Sequence, residues 1–236
     1  MKALILNSGI GNRMEGYTQN SPKCMVPLVG KQTIVERQLK ILEKSGIKEV
    51  IVTTGFLAEM LMDYINALGI SMKIIYVNND LYDKTNYIYS IYLAKEYLKD
   101  DIVLLHGDLV FQQSILDEML RFGKSCMATS TLCKIPEKDF KAVVKDGKII
   151  KIGVEFFENV VAAQPLYVLK QEQWIKWLSK ICEFCSEGRT NCYAEKALNQ
   201  ILEDKVCLYP YDFRDTLCQE VDSGEDLLEV RKAMES

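Results

Sequence analysis

No apolar run in the 236-residue chain is long enough to cross a bilayer, so a membrane-spanning helix is not expected. Positive charge is not in excess either. The 29 lysines and arginines face 33 acidic residues, for a net charge of −4, which leaves no electrostatic footprint for nucleic acid. The chain also lacks internal repeats, low-complexity tracts and any linker rich in Pro, Gly and Ser. Nor does it open on a signal-peptide pattern, since Met1-Lys2 passes at once into a short apolar run and a loop. The eight cysteines have no framework spacing, and a chain of this size does not depend on disulfides. Reduced thiols in a cytoplasmic protein are the expectation. Cys182-x-x-Cys185 lies in a helical pattern with no second pair nearby, which points to structural cysteines rather than zinc.

What is present starts at the N-terminus. Ala3-Leu4-Ile5-Leu6 reads as a buried first strand, and Gly9 and Gly11 follow it. Glycines there let the backbone turn tightly and approach a ligand, and the amides of such a turn make a nest for phosphate oxygens. Arg13 adds a permanently charged fork and Lys23 a compact ammonium. Backbone donors from Leu6, Asn7, Ser8, Gly9, Gly11 and Asn12 with two cations suit a triphosphate. A P-loop is excluded because no Gly-Lys-Ser/Thr closes the stretch. A dinucleotide fingerprint is disfavoured because Met14 stands where a small residue is needed and the second strand ends Val52-Thr53-Thr54-Gly55, without an acid.

Further along, Thr33-x-x-Glu36 reads as a capping box for a helix carrying Val35, Leu39 and Leu42, which Gly46 stops. Val50-Ile51-Val52, a helix with Leu57, Leu61, Tyr64 and Leu68, and a strand over residues 72–77 continue the alternation. The fold class is therefore α/β, with a mostly parallel, Rossmann-like sheet and flanking helices, whose ligands bind at the carboxyl ends of the strands. Asn79 and Asn86 fall at that edge, and neutral amides suit the edge of a pyrimidine base. A fourth strand over residues 102–105 ends His106-Gly107-Asp108, which places a carboxylate where a cation bridging phosphates could sit. His106 is assigned no catalytic role.

Beyond Phe111 the rhythm changes to a small mixed β region. Residues 125–131 read as a strand, and Asp146-Gly147 is a hairpin signal between two more. Helices are expected over 171–186 and 193–203, with Trp174 and Trp177 as packing residues, and strands over 206–209 and 218–221. Ser223 reads as the N-cap of a final helix with Glu225 and Asp226 in its first turn. The expected organisation is one domain over 1–236, with a nucleotide-binding half over 1–111 and an acceptor-side half over 112–236.

Gly11-Asn12-Arg13-Met14 and Pro22-Lys23, followed by Met25-Val26-Pro27-Leu28, resemble the signature loop of the nucleotidyltransferases that activate sugar phosphates and small phosphorylated alcohols. The fold expected from this resemblance is GT-A-like, with a loop near Asn79 and Asn86 closing over the base. Asn78-Asn79-Asp80, residues 86–90, residues 153–157 and Glu220-Val221-Asp222-Ser223 look most like the compact cytidylyltransferases that act on phosphocholine and related head groups. Asn7-Ser8, where many members have Ala-Ala or Ala-Gly, departs from the pattern, and the extra β-helical domain of some sugar-phosphate members is not expected among these 236 residues.

The resemblance implies CMP transfer from CTP to a small phosphorylated acceptor, in the service of surface polysaccharide. A sugar 1-phosphate or a phosphorylated amide is the alternative acceptor, and a non-catalytic nucleotide-binding module the alternative role. It implies Arg13 and Lys23 as catalytic and Mg²⁺ on Asp108 and Asp222. Glu155, Tyr193 and Glu195 are candidate acceptor contacts, since carboxylates and an aromatic ring suit a cationic head group.

Overall fold

Residues 1–11, 14 and 16–235 are described by the structure, a computed structural model; Asn12, Arg13, Glu15 and Ser236 lie outside them. Strand and helix alternate first: β1 (Lys2–Leu6), α1 (Ile34–Lys44), β2 (Glu49–Thr54), α2 (Ala58–Ala67), β3 (Lys73–Asn78), α3 (Tyr87–Ala94) and β4 (Ile102–His106). Then come β5 (Leu109–Phe111), α4 (Gln113–Phe122), β6 (Cys126–Ser130), β7 (Lys141–Lys145), β8 (Lys148–Gly153) and the long β9 (Val160–Leu169). The chain continues through α5 (Gln171–Ser186), the single turn α6 (Glu195–Leu198), β10 (Tyr209–Asp212), β11 (Cys218–Glu220) and α7 (Gly224–Glu235). No helix of the described residues is long and apolar enough to cross a membrane.

The main sheet runs β10-β6-β9-β4-β1-β2-β3, with the β7/β8 hairpin added at β9. The pairs β1–β2, β2–β3 and β1–β4 are parallel, as the α/β rhythm predicts, while β9 runs antiparallel between β4 and β6. Leu6 is in register with Thr53 on one side and His106 on the other, so three loops leave the sheet along one carboxyl edge. The faces of the sheet are covered by helices, which hold the core. Trp174 and Trp177 are 0% and 1% exposed and donate their indole N–H groups to the carbonyls of Leu98 and Ala194 at 2.8 and 3.0 Å. Both are packing residues, as expected.

Local signals account for several elements. Thr33 Oγ1 accepts from Glu36 N at 3.2 Å and caps α1, but the Glu36 carboxylate takes the Lys40 ammonium at 2.6 Å. Asp146 and Gly147 both have positive φ, 51° and 71°, the conformation of a type I′ turn between β7 and β8. Two expectations need correction. The helix predicted over 193–203 is helical only at Glu195–Leu198, because the Asn199 amide exchanges two hydrogen bonds with the Ile152 backbone and ties the chain to β8. The strand predicted over 206–209 begins only at Tyr209, since Cys207 N donates to Gln173 Oε1 and the Leu208 carbonyl accepts from Ile149 N. The stretch Gln164-Pro165-Leu166-Tyr167 lies inside β9, and the β6–β9 register shifts where Pro165 has no N–H to give.

Candidate active site

The loop after β1 turns through Gly11 at φ +73°, where a Cβ would come within 3.0 Å of the Lys23 side chain. Lys23 opens a short 3-10 turn over Lys23–Met25 directly behind extended Pro22, and the turn buries Cys24 on its inner side. From there the Lys23 ammonium reaches Asp108 Oδ2 at 2.6 Å and also bonds Asp222 Oδ1. The two carboxylates are brought together by a two-stranded sheet. Glu220 of β11 pairs with Leu109 of β5, and Val221 N donates to the Asp108 carbonyl at 3.0 Å. Asp222 is then held at the start of α7. Ser223 Oγ caps that helix by accepting from Asp226 N at 3.2 Å, while Asp226 Oδ2 accepts from the Asp222 and Ser223 amides at 3.0 and 2.7 Å.

Burial opposes the charge on Lys23, but Asp108 and Asp222 outweigh it and hold the ammonium above the ordinary lysine value. Asp108 is the reciprocal case: burial would raise it, yet Lys23 and His106 keep it below the ordinary aspartate value. Its second oxygen, Oδ1, is buried with no hydrogen-bond partner among the described residues, and so is Asn7 Nδ2. Such atoms are uncommon in folded proteins, and each costs about 1–3 kcal/mol if nothing meets it. Asn7 lies in the floor of this site because Gly107 makes room for it: a Cβ there would sit 1.6 Å from Asn7 Oδ1.

Three compartments meet at Asp108. The first, of 310 Å³, is lined by Gly9, Gly11, Asn7, Lys23, Asp108 and Asp222. The second, of 260 Å³, is lined by Ser8, Asn79, Tyr82, Asn86, Tyr87 and Asp108, among others. The third, of 190 Å³, has Tyr87, Phe140 and Tyr193 as aromatic walls, with Lys138, Asp139, Glu220, Asp108 and Asp222 as charged ones. A glycine-lined cradle with one lysine, a slot lined by amides and tyrosines, and an aromatic, acid-rich cup therefore share one carboxylate.

A partly buried pair forms part of the wall of the third compartment, with His106 Nδ1 3.0 Å from Glu220 Oε1. Burial and the nearby Asp108 charge push Glu220 up to about 7 despite His106, and the His106 value is also raised, Glu220 outweighing the cost of burial. His106, Asp108 and Glu220 each present a ligand atom within 4.8 Å of the others, so this corner could also take a cation. The Tyr87 ring stands edge-on to His106, with centroids 4.7 Å apart, and is stacked with Tyr193 at 5.9 Å.

Of the residues singled out in the sequence, Leu6, Asn7, Gly9, Gly11, Lys23, Asp108 and Asp222 line the first compartment, and Ser8, Asn79 and Asn86 the second. Asn12 and Arg13 lie outside the described residues. Asn79 does not offer its amide to a base. It is 1% exposed, its two N–H groups go to Thr85 Oγ1 and Ser90 Oγ at 3.0 Å each, and its oxygen accepts from Leu81 N. It shapes the slot instead. Asn86 caps α3 by accepting from Tyr87 N at 2.8 Å. Tyr193 lines the third compartment, but the other two acceptor candidates do not. Glu155 is exposed on the loop after β8, and Glu195, 1% exposed, is held behind the site by the phenols of Tyr87 and Tyr167. His106, Glu220, Tyr87 and Phe140 were not anticipated. Tyr87 and Glu220 lie inside stretches that carry the family resemblance, residues 86–90 and 220–223, and His106 lies two residues before Asp108. No role is assigned to any of them from the sequence, and nothing in it points to Phe140.

The nucleotidyl transferase family profile matches residues 2–173. Among curated relatives, a CTP:phosphoglutamine cytidylyltransferase of Campylobacter jejuni is 29% identical over 79% of this chain and 76% of its own length. A choline-phosphate cytidylyltransferase of Streptococcus pneumoniae is 30% identical over 69% of this chain and 72% of its own. Among solved structures, the CTP:phosphocholine cytidylyltransferase of S. pneumoniae superposes with a TM-score of 0.78 at 21% identity, over 99% of this chain and 98% of that one. The inositol-1-phosphate CTP transferase of T. maritima does so with a TM-score of 0.79 at 21% identity, over 100% and 96%. At these identities the superpositions speak for the α/β fold.

Proposed function

Since the chain belongs to the nucleotidyl transferase family, we propose that it transfers CMP from CTP to a small phosphorylated acceptor, releasing pyrophosphate. The observation that carries this reading is the meeting of the three compartments at Asp108, with Lys23 at the junction. The first compartment suits the triphosphate, the second the cytosine nucleoside and the third the acceptor. A phosphate oxygen of the acceptor attacks the α-phosphorus of CTP. The new P–O–P bond forms as the bond to the β-phosphate oxygen breaks, and pyrophosphate leaves with that electron pair.

A phosphate monoester is already an anionic nucleophile, so no general base is required. The protein must bring two anions together and stabilise charge on the transferring phosphoryl group. Lys23, kept protonated by its carboxylate neighbours, supplies a point charge for the α-phosphate and the acceptor phosphate. Arg13 is assigned to the β- and γ-phosphates. The nest at Gly9 and Gly11 and the unmet Asn7 Nδ2 donate to phosphate oxygens. Asp108 and Asp222 fit a divalent cation, for which we infer Mg²⁺: both already bind one cationic group, and Asp108 Oδ1 accepts from no donor among the described residues. When bound, that ion neutralises and orients the phosphates.

The acceptor cup, with Tyr87, Phe140 and Tyr193 beside Asp139 and Glu220, favours a cationic head group such as phosphocholine. Lys138 on the same wall, together with the relative that acts on phosphoglutamine, favours a phosphorylated amide as the second reading. Either product is an activated head group suited to decorating a surface polysaccharide. The test is a pyrophosphate-release screen of CTP, UTP, ATP and GTP against phosphocholine, phosphoethanolamine, phosphoglutamine and sugar 1-phosphates. The expected result is Mg²⁺-dependent release that prefers CTP by at least tenfold in kcat/KM and is abolished by EDTA. Comparable values for CTP, UTP and a purine triphosphate would remove the cytidylyl assignment.

A further inference from the structure

Lys141 is a lysine on β7 with no exposed surface, an unusual setting for an ammonium. It is not left uncompensated. Nζ donates to the carbonyls of Pro136 and Glu137 at 2.9 and 3.2 Å, and lies 4.2 Å from the centroid of the Phe157 ring. Burial draws the ammonium below the ordinary lysine value, against the opposing charges of Asp139 and Glu155. Its partners therefore come from two irregular segments, residues 136–139 before β7 and residues 155–157 after β8. Both segments border the acceptor cup: the first carries Lys138 and Asp139 into its lining and leads into Phe140, and Val154 adjoins the second. Neither segment has a sheet ladder or helix of its own to fix it. Phe157 is 61% exposed, so the ring is kept over the lysine and not in the core.

We propose that Lys141 is a positioning residue for the acceptor: it staples the two lips of the acceptor cup together, so that Asp139 and Phe140 are held ready for the head group. The inference rests on the transfer reaction proposed above. A charged staple suits this task because irregular loops expose carbonyls that a single ammonium can gather, whereas an apolar side chain would leave them unmet. Lys141 lines none of the three compartments, so it acts through the segments it holds, which border the acceptor cup alone, and not by touching a substrate.

The test is steady-state kinetics on Lys141→Met, Lys141→Arg and Phe157→Ala with the best acceptor of the panel, together with hydrogen exchange of the unliganded proteins. Lys141→Met is expected to raise the acceptor KM at least tenfold, with kcat and the CTP KM within threefold of wild type. Amides of residues 137–140 are expected to exchange at least tenfold faster. Lys141→Arg should recover part of the acceptor KM, because it restores donors to the same carbonyls. Phe157→Ala, a surface change that leaves the fold intact, should raise the acceptor KM severalfold. An acceptor KM within threefold of wild type in both Lys141→Met and Phe157→Ala overturns the proposal, as does an equal rise in both KM values. If Lys141→Met does not fold, Phe157→Ala decides by the same KM criterion. Absence of turnover in the wild-type protein across the whole panel would instead overturn the transfer reaction, and the acceptor role of Lys141 with it.

Discussion

At the scale of a residue, Lys23 is the point where chemistry and stability are tied together. It bridges Asp108 and Asp222, whose charges would otherwise face each other in a partly enclosed site. Removing one member of such a cluster leaves uncompensated charge, which in this partly buried site costs less than the roughly 3–5 kcal/mol of a fully buried pair. Lys23→Ala is therefore expected to melt several degrees below wild type in the absence of metal. Mg²⁺ should restore much of the loss by taking the place of the ammonium between the carboxylates. Turnover should not return with it. A charge placed at the reacting phosphates matters most in the transition state, and loss of such a contact costs about a hundredfold or more in kcat. Lys23→Arg should rescue poorly, since a planar fork does not replace a point charge. Thermal melts with and without Mg²⁺, read beside pyrophosphate release, check both halves; a folded Lys23→Ala protein with kcat within threefold of wild type would take the residue out of the mechanism.

At the scale of elements, the site depends on how closely the carboxyl ends of β1 and β4 approach. Gly107 N donates to the Leu6 carbonyl at 3.0 Å, and a Cβ on Gly107 would meet both that oxygen, at 2.9 Å, and the Asn7 side chain. Gly107→Ala must then push Asn7 out of the phosphate cradle. We expect it to lose roughly 1–3 kcal/mol of stability, as overpacked sites do, and to raise the CTP KM at least tenfold. Adding Asn7→Ala should recover part of the melting temperature but none of the CTP affinity, which melts and CTP titration can resolve. The same elements explain what could be read in advance. A strand followed by glycines, and a strand followed by Gly-Asp, are local patterns, so β1, its loop and Asp108 were legible in the sequence. Asp222 was legible only through its resemblance to a family motif, because its neighbour Asp108 is brought to it by the β5/β11 pairing. Asn79 and Glu195 could not be read correctly. Whether a polar side chain faces a pocket or is spent inside depends on distant partners, here Ser90 for one and Tyr167 for the other.

At the scale of the whole molecule, the His106–Glu220 pair in the wall of the third compartment gives stability an uncommon pH dependence. Lowered carboxylates such as Asp108 and Asp212 contribute stability at neutral pH that is lost as pH falls through their folded values, the usual acid limb. The His106–Glu220 pair acts in the opposite direction. Glu220 is raised from 4.5 to about 7 and His106 above 6.5, so the folded protein holds a proton there that the unfolded chain would release. The folded state binds more protons than the unfolded one in that window, and stability must fall as pH rises through it. The pair's contribution is complete below about pH 4.5 and is lost progressively up to pH 7 and beyond. Glu220→Gln removes the carboxyl that does the holding while keeping a partner for the His106 ring. Between pH 5 and pH 8, in metal-free buffer, the wild-type melting temperature should therefore fall by a few degrees more than that of Glu220→Gln, since about 1 kcal/mol moves the midpoint of a domain this size by roughly 2–4 °C. A metal-free melting series across that range checks the sign directly. Parallel curves for the two proteins would mean that Glu220 ionises in the fold as it does in the unfolded chain, and that His106 and Glu220 are not the proton-holding pair their burial and geometry describe.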